Sequence, residues 1–115
     1  MQNFRYRLRP ENIKELIPPM GYCYASDMIT IDGHKVGYMH RESREEEGDS
    51  GWRFYSGLET EEYVEDEHHF MMFEVNYIAN LDPDVIPYLK SRTGAELERI
   101  ENSIEFRKIE RMTKF

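Results

Sequence analysis

The sequence predicts an α+β domain in which an antiparallel sheet of about five strands carries two or three short helices on one face. Three observations lead to this prediction. Two aromatic-rich runs flank a polar loop between Val36 and Tyr63, as paired strands do. Other segments place apolar residues three and four apart, as short helices do. The length of 115 residues suits a single domain, residues 1–115, with one core.

The N-terminal segment is predicted to form a strand and a helix. Apolar and arginine side chains alternate over Phe4–Leu8, which indicates a half-buried strand with one basic face. Pro10 suits the first position of a helix over Pro10–Ile17. Pro18 and Pro19 end this helix, because proline disfavours helical geometry in the preceding residue and lacks an N–H donor.

A hairpin is predicted next. Tyr22–Ala25 has the composition of a strand, and Ser26-Asp27 after it forms a turn or a cap. Met28–Ile31 is predicted as another short strand. Asp32-Gly33 is the strongest hairpin-turn signal in the chain, because glycine takes a positive φ without penalty.

Two central strands follow this turn. The first is predicted over His34–Arg41 and the second over Gly51–Ser56, since both alternate with period two. The loop between them, Glu42–Ser50, is rich in glutamate. Its pattern does not match the alternating oxygen ligands of a hard-cation loop, so we predict a mobile charged loop.

Alternation assigns the faces of the second central strand. Trp52 and Phe54 point to one side, and Arg53 and Tyr55 point to the other. The predicted core consists of large apolar side chains from the central strands and from a later helix: Val36, Tyr38, Trp52, Phe54, Ile86 and Leu89.

The last third of the chain is predicted to be mixed. Phe70–Phe73 is either a buried strand or the approach to a helix over Val75–Asn80. Asp82 then caps a second helix that Pro83 opens. Pro87 bends or shortens this second helix.

A hairpin is predicted near the C-terminus. Its strands lie within Ala95–Ile100 and Ser103–Ile109, because apolar residues alternate in the second segment. A helical turn over Glu96–Ile100 is the alternative. Residues Glu110–Phe115 are predicted to be a frayed end.

Charge is distributed unevenly along the chain. The net charge is -8, yet no lysine or arginine lies between Arg53 and Lys90. That interval holds Glu59, Glu61, Glu62, Glu65, Asp66, Glu67, Glu74, Asp82 and Asp84. An acidic stretch repels phosphate backbones, so a nucleic acid is not an expected partner. The same field would attract a basic protein, although such a stretch also serves as a solvated surface that maintains solubility.

The composition also bears on the compartment. A single cysteine, Cys23, excludes an internal disulfide and favours the reducing cytoplasm. No apolar run approaches the roughly 20 residues that a membrane helix needs, and the N-terminus lacks an apolar signal core. We therefore expect a cytoplasmic protein that does not associate with membranes.

Candidate catalytic and metal-binding residues are few. An enzyme would use Cys23, His40 or Asp49 and would require the cysteine or the histidine within hydrogen-bond reach of a base in a cleft. A lone cysteine more commonly packs as a small apolar residue. A metal site would draw on the four histidines: His34, His40, His68 and His69. Because neighbouring strand residues point to opposite faces and no HxxxH or CxxC motif is present, we expect neither a metal nor a cofactor.

Several short motifs resemble a known bacterial family. They are Ser26-Asp27, Val36-Gly37-Tyr38-Met39, Arg41-Glu42, Asp49-Ser50-Gly51-Trp52, Phe54, Ser56-Gly57, Glu62-Tyr63, Asn76, Ile78-Ala79-Asn80 and Asp82-Pro83. The family was first catalogued as a domain of unknown function and is assigned to immunity proteins of bacterial polymorphic toxin systems, class thirty-three. The resemblance covers residues 22 to 97, with departures at His40 and in the glutamate-rich loop that follows Arg41-Glu42.

The resemblance implies a non-enzymatic immunity protein that binds and neutralises a cognate toxin. The acidic surface suits a basic toxin, such as a nuclease with a basic cleft. The predicted partner-binding residues are acidic groups with three aromatic anchors: Trp52, Tyr55, Glu59, Glu61, Glu62, Tyr63, Glu65, Asp66 and Glu67. For Trp52, packing in the core is the alternative. A small regulatory or ligand-binding module is the alternative function, and a deep apolar pocket would favour it.

Overall fold

The computed structural model describes residues 6–110, which are organised around a six-stranded sheet. The strands are β1 (Tyr22–Ser26), β2 (Tyr38–Arg41), β3 (Asp49–Tyr55), β4 (Phe70–Glu74), β5 (Glu96–Arg99) and β6 (Phe106–Lys108). The α-helices are α1 (Asp27–Thr30), α2 (Glu61–Glu65) and α3 (Val75–Leu81), and 3-10 helices span Pro10–Asn12, Glu67–His69 and Pro83–Tyr88. None of the helices in residues 6–110 is long and apolar enough to cross a membrane.

The sheet is mixed, with the strand order β4-β1-β3-β2-β5-β6. The α+β class is confirmed, but the predicted antiparallel sheet of about five strands is only roughly right. Successive strands alternate in direction, yet β3 lies between β1 and β2 and therefore runs parallel to β1. Every other neighbouring pair is antiparallel.

The core lies between one face of the sheet and α3 with the 3-10 helix Pro83–Tyr88. Trp52 and Phe54 are fully buried, and their rings stack at a centroid distance of 5.9 Å. The indole N–H of Trp52 donates to the carbonyl of Leu89 over 3.1 Å, which ties the sheet to the helical layer. The predicted core positions Trp52, Phe54, Val36 and Leu89 are confirmed, and Ile86 packs against the core while half-buried.

Tyr38 does not belong to the core, contrary to the prediction. The predicted strand gave Tyr38 the same face as buried Val36, but β2 begins only at Tyr38. Asp82 accepts the Val36 N–H over 2.9 Å and Arg99 donates to the Val36 carbonyl over 2.9 Å, so Val36 cannot join the ladder. Within β2 it is Met39 that points into the core.

The predicted N-terminal strand and helix are wrong where the structure describes them. Phe4 and the residue after it lie outside the described residues, and residues 6–8 form bends. Only Pro10–Asn12 is helical, as a 3-10 turn. The chain beyond it is held by α3: the Asn80 amide oxygen accepts the Lys14 N–H over 2.9 Å, and the Asn76 amide oxygen accepts the Leu16 N–H over 2.9 Å.

Met28–Ile31 is not a strand. Ser26 ends β1 and caps α1 with its hydroxyl oxygen, which accepts the Met28 N–H over 3.1 Å. The cap at Ser26-Asp27 is thus confirmed, and it converts the expected hairpin into a single helical turn. Gly33, at φ +85°, follows this turn.

Most of the remaining predicted elements agree with the structure. The strands predicted within Tyr22–Ala25 and Gly51–Ser56, the helix over Val75–Asn80 and the C-terminal hairpin are confirmed as β1, β3, α3 and β5–β6. Asp82 caps the next segment through the Asp84 N–H, but that segment is a 3-10 helix. Phe70–Phe73 lies in the half-exposed strand β4 at one end of the strand order. Residues 111–115 of the predicted frayed end lie outside the described residues.

Candidate functional site

The sheet face opposite α3 is rich in aromatic side chains. Cross-strand partners share a face, and the register pairs Tyr24 with Arg53, Arg53 with His40, and Tyr38 with Tyr55. Phe70 of β4, aligned with Ser26 of β1, packs against Tyr55. We call this surface the tyrosine face; its members are Tyr24, Tyr38, His40, Arg53, Tyr55 and Phe70.

The rings of the tyrosine face contact one another. The His40 and Tyr55 rings stack with centroids 5.7 Å apart, and Tyr38 lies 5.5 Å from each of them. Phe70 meets Tyr55 edge-on at 5.4 Å. Contacts of this kind contribute about 0.5–1.5 kcal/mol each beyond the area they bury, so the face is a preformed surface. Preformed aromatic surfaces are typical centres of protein interfaces.

Arg53 lies beneath these rings and is buried. Its guanidinium donates to both carboxylate oxygens of Asp49 over 3.1 and 2.8 Å, and its Nε lies 3.4 Å from Glu42. The hydrogen bonds from Arg53 lower the pKa of Asp49 to about 2. The guanidinium carbon lies 4.9 Å from the centroid of the Tyr24 ring. The positive charge of Arg53 is thereby offset by two carboxylates.

One end of the tyrosine face is bordered by the glutamate loop, which we define as residues 42–48. The Tyr22 hydroxyl donates to Glu46 over 3.0 Å, and the Tyr24 hydroxyl donates to Glu45 over 3.5 Å. Burial and the hydrogen bond to Glu46 raise the pKa of Tyr22 to about 12. Asp49 anchors the loop from inside by accepting the Glu45 N–H over 2.9 Å.

The other end is bordered by the acidic segment, residues 59–67, which follows β3. Thr60 caps α2 by accepting the Tyr63 N–H over 3.1 Å. The Tyr63 ring stacks on His69 at 3.8 Å and meets Phe70 at 6.1 Å, so this segment packs beside the tyrosine face. Glu59 turns inward and accepts the N–H groups of Ser56 and Gly57, and it shapes the turn.

Two adjoining cavities lie on the tyrosine face, of about 350 Å³ and about 440 Å³. They share Tyr55 and Val64, the latter from α2. Acidic residues from both borders line the cavity of about 350 Å³. They are Glu45 from the glutamate loop and Glu67 from the acidic segment. The arrangement suits contact with a positively charged macromolecule.

The predicted partner-binding residues fall into two groups. Tyr55 belongs to the tyrosine face, and the residues of the acidic segment lie beside it, where Glu61, Glu62, Glu65, Asp66 and Glu67 are exposed. Trp52 lies on the opposite face of the sheet, with no exposed surface. Its ring lies 5.7 Å from the guanidinium carbon of Arg41 and supports the sheet from the core side.

Sequence reasoning missed most of the tyrosine face. Tyr24, Tyr38, His40 and Phe70 come from three different strands, and the pattern around Glu45 predicts only a mobile loop. The available signal was the alternation that set Arg53 and Tyr55 opposite Trp52 and Phe54. That pattern marks a second, polar face of the sheet.

The residues proposed for an enzyme do not form a catalytic arrangement. Cys23 is fully buried in the core, and burial raises the pKa of its thiol well above the ordinary value. The Asp49 carboxylate is engaged by Arg53, and His40 stacks on Tyr55. Within residues 6–110, no three His, Cys, Asp or Glu side chains come together as ligands for a metal ion.

Several residues of the motifs quoted from the sequence stabilise the fold. A Cβ on Gly51, at φ +89°, would collide with the Glu42 carbonyl oxygen, and one on Gly37 would collide with that of Ser56. The Asp82 carboxylate accepts a hydrogen bond from the Arg99 guanidinium over 2.7 Å. These motif residues therefore have structural roles in this chain.

A family model described as the Immunity protein Imm33 domain matches residues 23–110. The matched range includes all six strands apart from the first residue of β1. No curated protein matches the chain, and no solved structure matches it.

Proposed function

The chain belongs to the family of Imm33 immunity protein domains, and on that premise we propose that it binds a cognate bacterial toxin and neutralises it by occupying a surface that the toxin needs. Binding is stoichiometric and requires no reaction on this chain. In this proposal the chain binds the toxin in the cytoplasm. A single cysteine, Cys23, suits this reducing compartment.

The observation that carries this proposal is the tyrosine face between two acidic borders. Aromatic side chains at the centre of an interface supply most of its binding energy, while the charged rim steers encounter and selects partners. Here Tyr24, Tyr38 and Tyr55 form the centre. The glutamate loop and the acidic segment form the rim.

The charge distribution favours a basic toxin. The net charge is -8, and the stretch between Arg53 and Lys90 contains no basic residue. A toxin that acts on a polyanion carries a basic cleft for its substrate, so a nuclease is the kind of toxin that this surface suits. Electrostatic steering would make association fast and sensitive to salt.

The decisive experiment is co-expression with the toxin encoded beside this gene. Cells should survive with the wild-type protein. Tyr55→Ala should weaken the purified complex by about 2 kcal/mol or more, because Tyr55 lies at the centre of the face. Ile104→Ala is the matched control, since Ile104 is 69% exposed in the turn between β5 and β6.

Two outcomes would contradict the proposal. Cells that die equally with and without the wild-type protein would show that it does not neutralise this toxin. A complex weakened as much by Ile104→Ala as by Tyr55→Ala would place the interface elsewhere.

A further inference from the structure

We infer that the cavity between the two acidic borders receives one cationic side chain, an arginine or a lysine, from the toxin. This inference rests on the proposed function and assigns the chemistry of its central contact. We call the cavity the cation pocket: it is lined by the aromatic residues Tyr24, Tyr55 and Phe70 and by Glu45 and Glu67 from the two borders.

The two glutamates of the cation pocket lie in the segments before and after β3. The glutamate loop precedes β3 and the acidic segment follows it, so Glu45 and Glu67 approach the pocket from two sides. Both residues are exposed, and no salt bridge within residues 6–110 joins either of them to a basic side chain. Their charge is therefore available to a partner.

Arg53 does not cancel this charge. It also lines the pocket, but its guanidinium is bound by Asp49 and lies 3.4 Å from Glu42. The carboxylates of Asp49 and Glu42 thus offset the charge of this guanidinium, and Glu45 and Glu67 add two further negative charges. Counting Glu42, Glu45, Asp49 and Glu67, four carboxylates surround the one guanidinium, so the pocket disfavours a phosphate or a carboxylate ligand and favours a cation.

The aromatic lining of the pocket suits a cation as well. Aromatic rings attract ammonium and guanidinium groups that approach their faces, and the attraction grows when water is excluded. Tyr24 already makes such a contact with Arg53. The volume of about 350 Å³ lies at the lower end of the roughly 300–1,000 Å³ that small-ligand sites span, which suits one long side chain.

The test compares two pairs of neutralised glutamates that change the net charge equally. Glu45→Gln with Glu67→Gln removes the carboxylates of the pocket. Glu47→Gln with Glu62→Gln is the control, because these exposed residues come from the same two borders but do not line the cavity. Dissociation constants for the toxin encoded beside this gene are measured at low and high salt.

We expect the pocket pair to weaken binding about 30-fold and the control pair less than about threefold. Substituting each lysine and arginine of the toxin by methionine should then identify one position whose effect is lost in the pocket variant, which is the sign of a direct contact. Thermal unfolding of both pairs should match the wild type.

Equal weakening by the two pairs would overturn the cation pocket while leaving the proposed function intact, because the acidic borders would then act only through general attraction. Absence of any toxin position coupled to the pocket would overturn it as well. If the wild-type protein neither binds nor protects, the proposed function fails, and the cation pocket fails with it.

Discussion

The guanidinium of Arg53 forms two hydrogen bonds with the carboxylate of Asp49, at 3.1 and 2.8 Å. The Asp49 side chain is fully buried, and it also accepts the N–H groups of Glu45 and Gly51. The Asp49 carboxylate therefore links three parts of the structure: the start of β3, the glutamate loop and the Arg53 guanidinium beneath the tyrosine face.

Asp49→Asn should lower the free energy of unfolding by about 3 kcal/mol at pH 7, because it breaks the buried pair and leaves Arg53 only the exposed carboxylate of Glu42, 3.4 Å from its Nε. The pKa of Asp49 is about 2, below the ordinary 3.8, so its ionised form stabilises the fold above pH 4. That stabilisation is lost as the pH falls towards 2. Urea unfolding at pH 7 and pH 3 should therefore show a smaller difference between variant and wild type at pH 3.

Glu47→Gln is the control for this prediction, since Glu47 is an exposed residue of the same loop. It should change the stability by less than about 0.5 kcal/mol at either pH. A cost of Asp49→Asn that is the same at pH 3 and pH 7 would contradict the role given to the ionised carboxylate.

Gly51→Ala should destabilise the fold more than Gly94→Ala. Both glycines have a positive φ, +89° and +97°, so both variants carry the strain of a left-handed backbone. A Cβ on Gly51 would also collide with the Glu42 carbonyl, whereas one on Gly94 meets nothing within 4 Å. We expect a cost of about 1 kcal/mol at Gly94 and about 3 kcal/mol at Gly51, measured by urea unfolding; equal costs would rule out the collision.

Local signals predicted the elements in which the sequence pattern matches the burial or the cap that the structure shows. Alternation around Trp52 and Phe54 identified β3 and its core face, and the Asp82-Pro83 pair identified a capped start. Elsewhere distant contacts prevailed. The apolar spacing of Pro10–Ile17 suggested a helix, but the side chains of α3 satisfy the backbone of residues 14–17 instead.

The candidate site also combines a part that local sequence predicts with a part that depends on distant contacts. The acidic segment is contiguous and could be predicted from the sequence directly. The tyrosine face depends on strand order, because Tyr24 and Phe70 join Tyr55 only when β1 lies between β3 and β4. Such non-local pairing has no signature in a single sequence, which is why the face emerged only from the structure.

Asn76→Ala should release the segment that precedes β1. The Asn76 amide accepts the N–H groups of Leu16 and Ile17 and donates to the Lys14 carbonyl. Losing these hydrogen bonds should cost about 1–2 kcal/mol, and the amides of Leu16 and Ile17 should exchange faster with deuterium while those of β3 remain protected.

Glu74→Ala provides the comparison, because Glu74 is an exposed residue at the start of the same helix with no capping hydrogen bond from its side chain. It should leave the exchange of Leu16 and Ile17 unchanged. Unchanged exchange in Asn76→Ala would show that the segment is held by its apolar contacts instead.

His40→Phe should make the stability less dependent on pH between 8 and 5. Burial lowers the pKa of His40 below its ordinary 6.5, against the opposing influence of Glu42 and Glu96. The unfolded chain then binds a proton more readily than the folded one, so the wild type loses stability as the pH falls below about 6.5. Phenylalanine keeps a ring against Tyr55 but cannot titrate. Urea unfolding at pH 8, 7, 6 and 5 should show the wild type falling relative to the variant, and curves that stay parallel, or a wild type that gains at low pH, would refute the lowered pKa.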